Sequence, residues 1–252
     1  HDVIRRQRQM CIRDRFKSVH LDGDLKLLGN VFYSDYEDMQ RTLFGFVGYR
    51  ELDGQAVYTL MTKNVPNSTI QGVELEFDWK PYEAGRLFGW VSMLDTENGG
   101  SSSAEATQDG YLCMERALVG VDPCSADGTI DLSGNHLTWS PELSWNLQFE
   151  HNTYTGNGFR IMNIVSANYT GEMFYNESNY DHEPFHSGRD DLYTVNTSMV
   201  FINETNAWGL EFYVHNATDE LIKTDSYPAN AGFVKAMYAP PMAYGVRFQK
   251  DF

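Results

Sequence analysis

Residues 181–191, DHEPFHSGRDD, concentrate the residue types in this chain that could do chemistry. Imidazole and carboxylate are both ligands for divalent metals, and His182 and His186 lie here among Asp181, Glu183, Asp190 and Asp191. Pro184 stands between the histidines and disfavours the helical turn that would bring both rings to one face. The segment therefore reads as a solvated loop, and no metal site is predicted. No G-x-S-x-G elbow, phosphate-binding loop or H-E-x-x-H pair occurs, so neither an enzymatic activity nor a cofactor is predicted. GNG at 156–158 reads as a tight turn rather than a phosphate cradle. DPCSADGTIDLSGN is rich in aspartate but lacks the D-x-D-x-D-G spacing of a calcium loop. Cys113 and Cys124 fall in the same acidic, glycine- and serine-rich stretch. They suit one local disulfide in an oxidising compartment; two free thiols are the alternative.

These residues need a framework, and composition bounds it. The 252 residues include 14% aromatics and 21 glycines, enough material for one large all-β domain or two small ones. A net charge of −16 argues against nucleic acid, whose phosphates would repel it. No apolar run reaches the 18 or so residues of a membrane helix. Membrane β-strands escape that test, because they show lipid only one apolar face.

Period-two alternation recurs instead. STIQGVELEFDWKP sets Val73, Leu75, Phe77 and Trp79 against Glu74, Glu76 and Asp78. LTWSPELSWNLQFEHNTY sets Leu143, Trp145, Leu147 and Phe149 against Ser144, Asn146, Gln148 and Glu150. WGLEFYVHN carries Trp208, Leu210, Phe212 and Val214 on one parity. The last strand, Met242 to Phe252, puts Tyr244, Val246, Phe248 and Phe252 on one side. Between strands, short turns near 21–24, 80–86, 154–158 and 203–207 alternate strictly with long polar linkers near 41–58, 97–136, 176–190 and 217–241. In an up-and-down sheet this puts all tight turns at one end and all long loops at the other, the layout of outer-membrane barrels. Pleat parity then predicts one lipid-facing row, Trp79, Leu143, Trp145, Leu147, Phe149, Trp208, Leu210, Phe212, Val246 and Phe248. Glu74, Glu76, Asn146, Gln148, Glu211, Arg247 and Gln249 are predicted to face the lumen.

Residues 1–15, HDVIRRQRQMCIRDR, stand apart, with five arginines against two acids in an otherwise acidic chain. No apolar segment follows that would make them a secretion signal. QMCIRDR resembles the translation of a sequencing-library adapter, so 1–15 is expected to be a non-native segment.

Several stretches together resemble the C-terminal half of the β-barrel of TonB-dependent outer-membrane receptors. LDGDLKLLGNVFYSDYEDMQ is similar to that family's strand running out to Y-x-D-Y-x-D-x-Q, and NVPNSTIQGVELEFDWKP to its I-x-G-x-E-x-E strand. DLSGNHLTWSPELSWNLQFEH resembles the G-N-x-L-x-x-x-P entry to a strand. WGLEFYVHNATDE resembles the penultimate strand, with Ala217 in place of the usual leucine. APPMAYGVRFQKDF resembles the closing P-R-x-Y-G-V strand, with Met242 where arginine is common. The resemblance implies an antiparallel up-and-down transmembrane barrel plugged from its N-terminal side, of about 22 strands. Residues 16–252 would supply eight full strands and a stub at Phe16–His20, with the plug, energy-coupling box, signal peptide and earlier strands upstream. It implies active transport of a scarce nutrient, a ferric siderophore or similar metal chelate, in the outer membrane of a Gram-negative cell. Its implied partners are outer-membrane lipid, the TonB energy-coupling complex reached through the plug, and the barrel assembly machinery, which would read the terminal aromatic strand Tyr244, Val246, Phe248 and Phe252. Arg41, Tyr49, Arg50, His182, His186 and Arg189 fall in the implied outer loops as contacts for an anionic chelate. The alternative is a soluble secreted sandwich that binds carbohydrate, and Greek-key connections would mark it.

Overall fold

The computed structural model describes residues 6–54, 56–65, 67–99, 101–102, 130–176, 179, 181, 186–229 and 233–250. In chain order the strands are β1 (Arg8–His20), β2 (Leu25–Glu37), β3 (Met39–Tyr49), β4 (Ala56–Val65), β5 (Ser68–Tyr82), β6 (Gly85–Asn98), β7 (Ser101–Ser102), β8 (Ile130–Asp131), β9 (Leu143–Gly156), β10 (Phe159–Thr170), β11 (Met173–Phe174), β12 (Gly188–Arg189), β13 (Leu192–Asn203), β14 (Trp208–His215), β15 (Lys223–Ala229), β16 (Phe233–Tyr238) and β17 (Ala243–Lys250). The helical content among the described residues is one 3₁₀ turn, Leu21–Gly23.

Nine strands form one sheet in the order β1-β2-β5-β6-β9-β10-β13-β14-β17, and every neighbouring pair is antiparallel. No Greek-key crossing interrupts it. The skipped strands pair among themselves as four two-stranded sheets, β3-β4, β7-β8, β11-β12 and β15-β16. Each of the four long connections thus carries a two-stranded ladder of its own where the sequence suggests a polar linker. In the first of them the apolar run LFGFV, broken by glycine, hides the alternation.

The opposite edge holds the tight turns, and neighbouring turns are hydrogen-bonded side by side. Lys80 N–H donates to Asp24 O at 2.8 Å, Asn152 N–H to Ala84 O at 2.7 Å, and Glu204 N–H to Gly158 O at 2.9 Å. Between β9 and β10 the turn residues Asn157 and Gly158 both have positive φ, 52° and 74°. That is the type I′ geometry whose twist matches the flanking strands, and asparagine followed by glycine tolerates it best.

The strand β1 is longer than the stub expected from Phe16. It pairs residue for residue with β2 from Arg8↔Glu37 to His20↔Leu25, because a ladder of backbone hydrogen bonds accepts any non-proline sequence. At Phe16 the ring lies over Gly29 of β2, filling the space a Cβ there would occupy, a device that protects a strand glycine.

Register decides the two faces, since residues directly opposite in a ladder point the same way. Trp79, Leu87, Phe149 and Val165 form one cross-strand row, and Trp208, Leu210, Phe212 and Val214 face Lys250, Phe248, Val246 and Tyr244 in another. All ten residues expected toward lipid share this face, and all seven expected toward the lumen share the other. The second face is ionic. Arg86 forks onto Asp78 at 2.9 and 3.1 Å and reaches Glu150 at 3.8 Å, and Arg247 meets Glu211 at 2.8 Å. Asn30 and Arg13 both donate to Glu74, at 2.7 and 3.1 Å.

Aromatic residues gather toward both ends of the apolar face. One group is Trp145 with Tyr169 and Tyr193, ring centroids 6.0 and 5.7 Å away; the other is Trp208 with Phe159 and Phe248, at 5.9 and 6.2 Å. Along β10, Phe159 and Tyr169 belong to these two groups. At ~3.4 Å per residue and the roughly 40° tilt of a barrel strand, they would stand about 25 Å apart along a barrel axis, the height of a barrel's apolar band.

Among the described residues nothing covers either face of the sheet. Phe212 is 46% exposed, Val246 60% and Phe248 64%. A sandwich would bury one face against a second sheet, so the soluble alternative fails on this point. The buried apolar residues among those described are Met39, Leu132, Leu137 and Tyr175, all at the end of the sheet where the long connections lie.

Candidate ligand site at the loop end

Three connections meet over that end. The one between β10 and β13 supplies Glu172, Tyr175, His186, Arg189 and Asp190, and β11 and β12 hold it in shape by pairing Met173 with Arg189 and Phe174 with Gly188. The segment before β9 supplies Trp139, whose N–H donates to Phe174 O at 2.9 Å. The connection between β14 and β17 supplies Lys223, the first residue of β15. Beneath them Leu137 packs on Met39, Tyr36 and Ile70, and its N–H donates to Thr96 Oγ1 at 3.0 Å.

Tyr175 is the hub. Its N–H donates to Ser187 O at 2.7 Å and its hydroxyl to Lys223 O at 2.6 Å, while the Trp139 ring lies 4.7 Å from its own. Lys223 Nζ sits 5.9 Å from the centre of the Tyr175 ring and donates to His186 O at 3.0 Å. Phe174 stands edge-on to His186 at 6.5 Å. The result is a small platform of two aromatic rings and two cations, the pairing that recognises planar or anionic groups by stacking and charge.

Arg189 is only 9% exposed. Burial lowers its guanidinium from the ordinary value, against the opposing influence of Tyr175 and Asp191. Burial also pushes the Tyr175 phenol up, and the neighbouring Arg189 pulls it back. Arginine remains charged throughout the accessible range, so the platform keeps a buried positive charge facing a neutral phenol.

The six residues expected as chelate contacts do not gather in one place. His186 and Arg189 come together around Tyr175. Tyr49 and Arg50 belong to the separate β3-β4 hairpin, where Arg50 pairs with Asp53 at 3.4 Å. Arg41 is in β3 opposite Lys63, and His182 lies outside the described residues, as do Cys113, Cys124 and Phe252. Tyr244, Val246 and Phe248 lie on β17, which has one neighbour, β14, in the sheet. Tyr175, Lys223, Trp139 and Glu172 were not legible as site residues, because the site is assembled from three separate connections and no local motif marks them.

Solved structures of the same shape exist. The ferric yersiniabactin uptake receptor FyuA from Yersinia pestis matches 97% of this chain with 30% of its own, at 17% identity and a TM-score of 0.66. The siderophore receptor PiuA from Acinetobacter baumannii matches 95% with 28% of its own, at 14% identity and a TM-score of 0.62. The copper transporter OprC matches 100% with 33% of its own, at 12% identity and a TM-score of 0.64. The chain therefore spans about a third or less of the length of these proteins. No curated protein matches it. The β-barrel family described as TonB dependent receptor-like matches residues 16–217. With an in-order antiparallel wall, one apolar and one ionic face, and a family match over most of its length, this chain belongs to the TonB-dependent receptor β-barrel family.

Proposed function

We propose that this chain is the C-terminal part of an outer-membrane receptor that actively takes up a metal chelate of the ferric-siderophore class. The observation that carries the reading is the wall itself: nine strands in order, apolar toward one side and ionic toward the other, with neither face covered by any described residue. Such a sheet needs lipid on the first face and a hydrated or protein-filled lumen on the second. Membership of the family and the uptake functions named for FyuA, PiuA and OprC support the cargo class. The aromatic and cationic platform at the loop end suits an anionic, ring-bearing ligand.

In this reading the partners are outer-membrane lipid, the TonB complex acting through an N-terminal plug, and the barrel assembly machinery engaging Tyr244, Val246, Phe248 and Phe252. Transport requires no catalytic residue and no resident cofactor. Arg41, Tyr49, Arg50, His182, His186 and Arg189 would face the chelate from the loops, and a Cys113–Cys124 bridge would order the longest of them. Residues 1–15 are a non-native segment in this reading. Asp14 supports that, since it stands opposite Val31 in the lipid-facing row, where a carboxylate is unfavourable.

The test is uptake by the intact receptor in an iron-starved Gram-negative host lacking its own receptors. Radioactive iron should accumulate with at least one ferric siderophore, and only while the TonB complex is present. Accumulation with none of a broad panel of siderophores would overturn the cargo class.

A further inference from the structure

We infer that the base of the connection between β10 and β13 carries a site for a divalent first-row transition cation, held by Glu172, His186 and Asp190. Ligand atoms of these three residues all lie within 4.8 Å of one another. The β11-β12 ladder builds the site: with Met173 opposite Arg189, Glu172 at the start of the connection is set across from Asp190 at its end. Gly188, between His186 and Asp190, adds no side chain to the gap.

A second observation points to a ligand. The His186 side chain is 13% exposed, and its Nε2 is fully shielded from solvent with no hydrogen-bond partner. Among the described residues, the carboxylate that approaches that nitrogen, Asp181, stands 3.8 Å away, too far to accept a proton from it. A shielded imidazole nitrogen without a partner is unfavourable, and a metal ion would satisfy it. The donor set also selects the class of ion. Calcium and magnesium prefer oxygen alone, whereas one imidazole with two carboxylates suits zinc, cobalt, nickel or copper and leaves a fourth position for water. Tetrahedral donors about 2.1 Å from a metal stand about 3.4 Å apart. Glu172 and Asp190 are exposed and can close that distance by rotating.

The neighbouring cations hold the ligand residues in place. Arg189 donates to Asp190 O at 3.3 Å and Lys223 to His186 O at 3.0 Å, so each fixes the backbone of a ligand residue. The bound ion would tie the two ends of one long connection together and give His186 a partner other than the chelate. The inference does not depend on which cargo is transported.

Untagged receptor, purified in detergent and stripped with chelator, should bind Co²⁺ alone at one saturable site with visible d–d absorption, displaced by Zn²⁺. Glu172→Gln, at an exposed position that tolerates change, should weaken Co²⁺ binding at least tenfold, and His186→Gln should do the same. His215→Gln, on β14, should leave it unchanged. Absence of saturable Co²⁺ binding would overturn the inference. So would wild-type affinity in Glu172→Gln, a measurement that stands even where His186→Gln fails to fold.

Discussion

Leu147 and Leu137 are close in the chain and live in opposite surroundings. Leu147, in the middle of β9, is 39% exposed on the apolar side of the wall; Leu137, just before that strand, is 4% exposed under the loops. The wall is held by a continuous antiparallel ladder, and its apolar side chains gain little from one another. Their stabilisation comes from a solvent that is itself hydrocarbon. The loop end is built like a small soluble domain, with buried side chains, paired backbone groups in the turns and rings packed on rings. One chain therefore follows two rules for apolar residues, outward in the wall and inward at the loops. The boundary falls where the strands leave the membrane.

The largest test of this contrast is a charge on the wall. Leu147→Arg should cost about 2–4 kcal/mol in lipid vesicles. Gln148→Arg, one residue along and on the ionic face, should change stability by only ~0.5 kcal/mol. Urea unfolding in vesicles measures both, and equal losses would break the assignment of faces.

At the loop end, Leu137→Ala should cost about 2 kcal/mol, the low end for a buried leucine because its cluster is small. The loss should be local: limited proteolysis of the loops should quicken while unfolding of the wall stays where it was. A matching loss in the wall would show that the two regions are one cooperative unit.

Tyr175→Phe removes the hydrogen bond to Lys223 O and should cost about 1 kcal/mol. It also has a pH signature. The phenol is raised above its ordinary value by burial, so its contribution is fully present below about pH 10 and is lost as pH rises through the folded value. Tryptophan emission, reporting on Trp139 beside it, should change in that alkaline window in the native protein and not in Tyr175→Phe. The smallest expected effect is Lys250→Leu. Lys250 lies opposite Trp208 on the lipid-facing side, near the rim, and its replacement should stabilise the wall by about 0–1 kcal/mol in the vesicle assay.

The faces of the wall were legible because pleat parity is a local property. Once Trp145, Leu147 and Phe149 alternate with Asn146 and Gln148, any register that keeps the alternation puts them on one side. The tight turns were legible for the same reason, as Asn157-Gly158 shows with two positive φ angles. The hairpins inside the long connections were not, because residues 39–65 do not alternate cleanly and their pairing closes only across the turn. Arg189 illustrates the limit at the loop end. Its sequence neighbours are polar and suggest an exposed loop, yet Arg189 is buried, with Tyr175 from the far side of the same connection against it.

By itself, then, the sequence determined what repeats along the chain: strand periods, the alternation of short and long connections, and which side of each strand is apolar. Each of these depends on a residue and its near neighbours. The tertiary structure decided what depends on meetings between distant segments. It set Glu172 across from Asp190 and beside His186, placed Tyr175 against Trp139, and gave four linkers a two-stranded ladder each. Those meetings depend on where an ordered ladder delivers the ends of its strands, and neighbouring residues alone do not specify that.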